Sequence, residues 1–210
     1  VVQKCLVPGD EVGARRLVDA MVAHAHRRYG SLYDVERTVA ALAERAPFVF
    51  LDWALGASEP RPKLSRASTL EKSPLGGIEP QLLIDWCRMG GAERWISVAD
   101  AMQPFGPDDS PEGGSHATGL SSQAKLLLAA APDPEAVVAV FFGHVSPMGW
   151  SGSRADIMER RLLAMEQLAS HPSDRVRQAF NQGALGLRQI IARERERERA
   201  EDRERDVSFE

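Results

Sequence analysis

Short turn-forming stretches recur along the chain at a nearly constant interval, and this recurrence constrains the fold more than any other feature. The turns fall near Pro8, Pro47, Gly90, Pro132 and Pro172, so that successive turns are 39, 43, 42 and 40 residues apart. A period of this length is typical of repeats made of paired helices, in which each pair buries its apolar face only by stacking on its neighbours. The spacing therefore predicts an all-α fold, an α-α superhelix of stacked antiparallel helix pairs.

Apolar residues on both sides of the turns have the spacing of helices. Val35, Val39 and Leu42 recur at three- and four-residue steps before one turn, and Val176 and Phe180 begin a similar stripe after another. The stretch AVVAVFF is apolar all round and by itself suits a strand. Its flanks supply no partner strand or hairpin turn, so we expect a helix there. The alternative to a repeat array is an irregular helical bundle.

The last turn carries a pattern that is found in a known family. The residues concerned are Asp174, Val176, Arg177, Ala179 and Leu187. They resemble the second helix of a HEAT repeat, in which an Asp near the turn is followed by a Val-Arg pair. The match covers about residues 154–191, and the earlier units rest on their spacing. The resemblance implies a HEAT-like solenoid that recognises other macromolecules.

A second resemblance concerns the end of the chain. The stretch GWSGS, followed by a helix and a charged tail, resembles the helical C-termini of large bacterial NTP-driven signalling and defence proteins. The chain also begins with Val rather than Met. We therefore expect residues 1–210 to be a single helical-repeat domain at the C-terminus of a larger cytoplasmic bacterial protein.

The charged tail, residues 192–210, alternates Arg and Glu over much of its length. On a helix this places opposite charges three residues apart but like charges four apart, so the two effects partly cancel. We expect the tail to continue the last helix as a long polar extension. It would form the polar end of the stack or project into solvent, without deep packing.

Composition and motifs exclude several functional classes. The net charge of -4 and pI near 5.8 provide no broad basic field for nucleic acid or anionic membranes. The chain has no long apolar run of the kind that spans a bilayer and no signal peptide at its start, so we expect a cytoplasmic location and no membrane partner. Cys5 and Cys87 lack CxxC spacing, and the stretch GPDDSPEGGSHATG matches no calcium or zinc motif. We expect no metal, no cofactor and no catalytic site.

The connections between helix pairs are where we expect function to lie. They span residues 57–79, 106–118 and 146–153, and loops of more than about 12 residues are usually functional or disordered. The first connection is rich in basic residues, and the third contains a tryptophan that suits either partner binding or packing over its own repeat. The candidate binding residues are Arg61, Lys63, Arg66, Lys72, Trp150 and Arg154.

These observations lead to two hypotheses about function. The first is a non-catalytic scaffold or sensor region that binds another protein through the loop edge. The alternative is a nucleic-acid-binding module in which the basic residues of the first loop join Arg154, Arg160 and Arg161 in one strip. The two hypotheses differ in whether these side chains converge on one concave surface.

Overall fold

The chain is built almost wholly from α-helices. The computed structural model describes residues 6–7, 9–25, 35–56, 73–107 and 117–208. Within these ranges there are nine α-helices, two short 3-10 helices and one pair of short strands. Contacts between residues divide the chain into two compact units, Val1–Met102 and Gln103–Glu210. The predicted helical class is confirmed, whereas the superhelical stacking and the single repeat domain stay predictions.

The described residues of the first unit form five α-helices and one 3-10 helix. They are α1 (Glu11–Ala25), α2 (Glu36–Arg45), α3 (Pro47–Ala54), the 3-10 helix Pro74–Gly77, α4 (Pro80–Arg88) and α5 (Ala92–Ala101). Helices α1, α2 and α4 pack on α3. The core of the unit forms at these contacts, where Leu42, Phe50 and Trp86 are completely buried.

In the part of the second unit that the structure describes there are four α-helices, one 3-10 helix and a strand pair. They are β1 (Phe105–Pro107), β2 (Ala117–Leu120), α6 (Ser122–Ala130), α7 (Pro134–Val145), α8 (Arg154–Met165), the 3-10 helix Glu166–Ser170 and α9 (Asp174–Ser208). Helix α9 packs along α7, α8 and the 3-10 helix. Its Phe180 stacks on Phe142 of α7 with ring centroids 6.0 Å apart.

Four of the predicted turns coincide with breaks between helices. The breaks lie at residue 46, at residues 89–91, at residues 131–133 and at residues 171–173. At the first of them Pro47 occupies the opening turn of α3, where its missing N–H has no helical partner to lose. The fifth predicted turn is at Pro8, which lies outside the described residues.

Side-chain caps fix the starts of three helices. The side-chain oxygens of Asp10, Asp133 and Ser153 each accept a hydrogen bond from the backbone amide three residues further on, at 2.8, 3.4 and 3.0 Å. A cap of this kind contributes about 1 kcal/mol. The stretch AVVAVFF lies within α7, as predicted.

The strand pair was not predicted, because its residues fall in a segment expected to be a loop. The strands are antiparallel, with Phe105 opposite Leu120 and Gly106 opposite Gly119. Phe105 and Leu120 are both buried, so the two apolar side chains share one face of the ribbon. Strand β2 packs on α8, and this contact with a helix stabilises a ribbon too short to be stable alone.

Candidate functional site

The loop between α7 and α8, residues 146–153, presents two large apolar side chains to solvent. Met148 is 70% exposed and Trp150 is 49% exposed. The chain has four tryptophans, and the other three are buried. Aromatic residues and methionine are enriched where proteins bind one another. Among the described residues, this loop is therefore the strongest candidate for a binding site.

Arg154, in the first turn of α8, holds the loop in place. Its guanidinium lies over the Trp150 ring, 4.9 Å from the centroid. Its Nη2 donates a hydrogen bond to Ser146 Oγ at 2.7 Å, and its Nη1 lies 3.6 Å from Glu194 Oε1 of α9. One side chain thus contacts the start of the loop, its aromatic residue and the following helix. Trp150 is exposed to solvent and yet held in one position.

The other end of the loop is held by Glu198, which lies in the tail of α9. Its Oε2 accepts a hydrogen bond from Ser153 Oγ at 2.7 Å, and its Oε1 accepts from the backbone amides of Arg154 at 2.6 Å and Ala155 at 3.1 Å. Burial by itself raises the pKa of Glu198, but these three hydrogen bonds outweigh it and the pKa lies below its usual value. The carboxylate also carries the charge that a helix N-terminus favours.

A groove of about 510 Å³ runs between the loop and the tail of α9. The loop supplies one wall with its aromatic side chain, and the tail supplies the other with charged side chains. The lining residues are Trp150, Gly152, Ser153, Arg197, Glu198, Glu201, Asp202 and Arg205. The groove is therefore apolar on one side and charged on the other.

The charges of the tail wall largely neutralise one another. Arg197 donates hydrogen bonds to Glu194 and Glu201, each at 2.5 Å, and Arg205 donates to Asp202 at 2.8 Å. The hydrogen bond from Arg197 is the main reason why the pKa of Glu194 is lowered, with the charges of Arg197 and Arg154 adding to it against the effect of burial. The wall therefore offers paired charges to a partner.

Two of the six predicted binding residues are brought together in this site. Trp150 and Arg154 form the stack described above. The four basic residues of the first loop lie outside the described residues, so their prediction stays a prediction. They are Arg61, Lys63, Arg66 and Lys72.

Two of the three arginines proposed to extend a nucleic-acid strip make contacts within the protein. Arg161 donates a hydrogen bond to the carbonyl of His144 at 2.9 Å and lies over the ring of Phe105. Burial lowers the pKa of Arg161. Arg160 is exposed, whereas Arg154 is occupied by the loop and the tail. Two of these three cations are thus used inside the protein.

Sequence reasoning missed the acidic partners of the loop, Glu194 and Glu198. They are two of several glutamates in an alternating run, and no local feature distinguishes them. They are four residues apart and so share one helix face, which is the one signal that pairs them. The position of that face against α8 depends on tertiary packing.

Two observations concern metal binding and the chemistry of the described cysteine. The described part of the chain contains no group of three or more His, Cys, Asp or Glu side chains placed to hold a metal ion. Cys87 is buried, and burial raises the pKa of its thiol to about 12 despite the opposing charge of Arg94. The thiol is therefore protonated at neutral pH and a poor nucleophile. Cys5 lies outside the described residues.

None of the helices that the structure describes is both long and apolar enough to cross a bilayer. No protein-family model, curated protein or solved structure matches the chain. The geometry of the groove is therefore the ground on which a function is assigned.

Proposed function

We propose that this chain is a non-catalytic protein-binding region, a scaffold or sensor within a larger cytoplasmic protein. The docking site is the groove between residues 146–153 and the tail of α9, and Trp150 is its anchor. The single observation that carries the proposal is that Trp150 is 49% exposed and yet held by a stacked arginine.

A fixed and exposed tryptophan is suited to binding for an energetic reason. Ordering a flexible side chain at an interface costs about 0.5–1.5 kcal/mol. Since Arg154 lies over the Trp150 ring and is itself bonded to Ser146 and Glu194, we expect this cost to be small for Trp150. Most of the apolar surface that Trp150 leaves in water is then available to stabilise a complex.

The neighbouring residues complete the site. Met148 is exposed two positions before Trp150, and its flexible thioether adapts to an irregular partner surface. The paired charges on the tail wall supply donors and acceptors for a polar rim. An apolar centre with a polar rim is the usual composition of a protein interface.

The proposal is tested by comparing partner capture by three forms of the chain. Wild type, Trp150→Ala and Leu126→Ala are used as baits in a lysate of the source organism. Leu126 is a matched control, because it is 50% exposed and lies on α6, away from the loop. We expect one or more proteins to be retained by wild type and Leu126→Ala and to be lost with Trp150→Ala.

Nuclease treatment and a salt series separate this function from the alternative. Protein-mediated capture at an apolar anchor survives nuclease and moderate salt, whereas nucleic-acid-mediated capture is lost with either. Capture that is lost on nuclease treatment, or that is equal for all three baits, would contradict the proposal.

A further inference from the structure

Helix α9 is held to the rest of its unit in two different ways along its length. Its first half, up to Ile191, is held by apolar packing, since Val176, Phe180, Ala184 and Ile191 are all buried. From residue 192 to residue 205 no residue is buried. The second half is therefore held by something other than an apolar core.

Polar contacts with α8 hold the second half. Arg195 Nη2 donates hydrogen bonds to Asp156 Oδ1 and Glu159 Oε2, each at 2.8 Å. Glu198 accepts three hydrogen bonds at the start of α8. These contacts run along one edge of α8 for more than one turn, so they fix the direction of the tail as well as its position.

The same contacts build the proposed docking groove. Glu194 is paired with Arg154, which in turn stacks on Trp150. Residues Arg197, Glu201 and Asp202 of the tail form the wall opposite Trp150. If the tail left α8, Arg154 would lose its acidic partner and the groove would lose one of its walls.

We propose that residues 192–205 form a strap, held to α8 by charge, whose docking creates the binding groove and whose release removes it. This inference rests on the proposed function for its biological meaning, since it names how partner binding at Trp150 is regulated. Exposed ion pairs are screened by salt, with a Debye length of about 8 Å at physiological ionic strength. We therefore expect the docking of the strap to be sensitive to ionic conditions.

The docked strap is tested without any partner, by fluorine NMR of the chain labelled with 5-fluorotryptophan. Four resonances are expected, one for each tryptophan, and Trp150→Phe assigns the exposed one. Glu198→Ala removes the hydrogen bonds to the start of α8, while Glu196→Ala is the matched control because Glu196 is exposed on the same helix. Alanine keeps the helix propensity high in both variants.

We expect Glu198→Ala to shift the Trp150 resonance and to increase its solvent isotope shift, with the other three resonances unchanged. The backbone amides of Arg154 and Ala155 should exchange with solvent about tenfold faster or more, because their acceptor is gone. High salt should move the wild-type resonance in the same direction. A Trp150 resonance that is the same in wild type, Glu198→Ala and high salt would overturn the strap.

Partner capture with the same variants separates failure of the strap from failure of the proposed function. Loss of capture with both Trp150→Ala and Glu198→Ala supports both proposals. Capture that needs Trp150 but is unaffected by Glu198→Ala would refute regulation by the strap and leave the docking site standing. If the Trp150 resonance responds to Glu198→Ala but no partner capture depends on Trp150, the docking site is refuted and the strap is not.

Discussion

The two units each contain an arginine stacked on a tryptophan with a carboxylate from another helix, and they use this cluster differently. In the first unit Arg94 lies 4.2 Å from the centroid of Trp86, and Asp52 of α3 accepts a hydrogen bond from Trp86 Nε1 at 2.8 Å. In the second unit Arg154 lies over Trp150, and Glu194 of α9 pairs with the arginine.

The two clusters differ in how far the tryptophan is buried. Trp86 is 0% exposed and Trp150 is 49% exposed. In the first cluster the carboxylate bonds the indole itself, and Arg94 Nη1 also donates to the carbonyl of Trp86 at 2.9 Å. In the second cluster Glu194 contacts the arginine, and much of the indole faces solvent. An arginine, a tryptophan and a carboxylate thus join helices in one unit and present a side chain in the other.

Removing the two tryptophans should give the largest contrast between the clusters. Trp86→Ala should lower the free energy of unfolding by about 3–5 kcal/mol, because it leaves a cavity in a closed core. Trp150→Ala should change it by about 0.5 kcal/mol or less, as for most surface substitutions. Urea denaturation followed by far-ultraviolet circular dichroism measures both values. Similar losses of unfolding free energy for the two variants would show that Trp150 stabilises the fold as much as Trp86 does.

Removal of the carboxylates Asp52 and Glu194 should also lower the free energy of unfolding more in the first cluster than in the second. The difference should be smaller than for the tryptophans. Asp52→Ala leaves the buried indole N–H of Trp86 without its acceptor, which should cost about 1–3 kcal/mol. Glu194→Ala should cost about 1 kcal/mol or less, because its partners Arg154 and Arg197 keep contact with water. The two variants are compared by urea denaturation under identical conditions. A greater loss of unfolding free energy for Glu194→Ala than for Asp52→Ala would show that the second cluster, rather than the first, is the one that stabilises its unit.

The turns of the helix pairs were predictable because they depend on local chemistry. Pro47 and Pro134 sit in the first turn of their helices, and Asp133 and Ser153 cap the helices that follow them. Each of these effects acts within a few residues. The strand pair was not predictable, since its stability comes from Phe105 and Leu120 meeting across fifteen residues and from packing on α8.

Half of the binding site was predictable for the same reason. Trp150 and Arg154 are four residues apart at a helix start, so their proximity is nearly local. Glu194 and Glu198 reach them from forty or more residues away. The tail was predicted to continue the last helix, which is confirmed to Ser208. The expectation that it would not pack deeply agrees with residues 192–205, none of which is buried, although the side chain of Glu194 is only 11% exposed.

Substitutions at two glycines of α9 test how far the second cluster depends on the packing of this helix. A Cβ at Gly183 would overlap the ring of Phe142, whereas a Cβ at Gly186 would meet open space. Overpacking typically costs about 1–3 kcal/mol, and Ala in place of helical Gly recovers about 1 kcal/mol. Gly183→Ala should therefore destabilise by about 1 kcal/mol, and Gly186→Ala should stabilise by about 0.5–1 kcal/mol.

Thermal unfolding of both glycine variants measures these opposite changes, and fluorine NMR reports their effect on the clusters. Displacement of α9 by Gly183→Ala should move the Trp150 resonance, because Glu194 and Glu198 are carried on the same helix. The Trp86 resonance should stay in place. If both substitutions stabilised the protein, the Phe142 ring would have moved aside without a cost in free energy. Helix α9 would then not be tightly packed on α7.

The smallest expected effect is the response of the second cluster to pH. The pKa values of Glu194 and Glu198 are both lowered in the folded chain. A carboxyl group with a lowered pKa stabilises the docked state above its ordinary pKa, and this contribution is lost as the pH falls through the lowered value. The charged groups facing these carboxylates are Arg154 on α8 and Arg197 on α9, and Arg195 is held in turn by Asp156 and Glu159.

The strap should therefore be docked at neutral pH and should begin to release only in the acidic range, below the ordinary value of 4.5 for a glutamate. The Trp150 fluorine resonance should move toward its position in Glu198→Ala as the pH is lowered. The double variant Glu194→Gln/Glu198→Gln should lose this transition, because neither residue can then change its charge. A transition that persists in the double variant would show that other groups cause the pH sensitivity. The contrast between the buried cluster around Trp86 and the pH-dependent cluster around Trp150 would then be weaker.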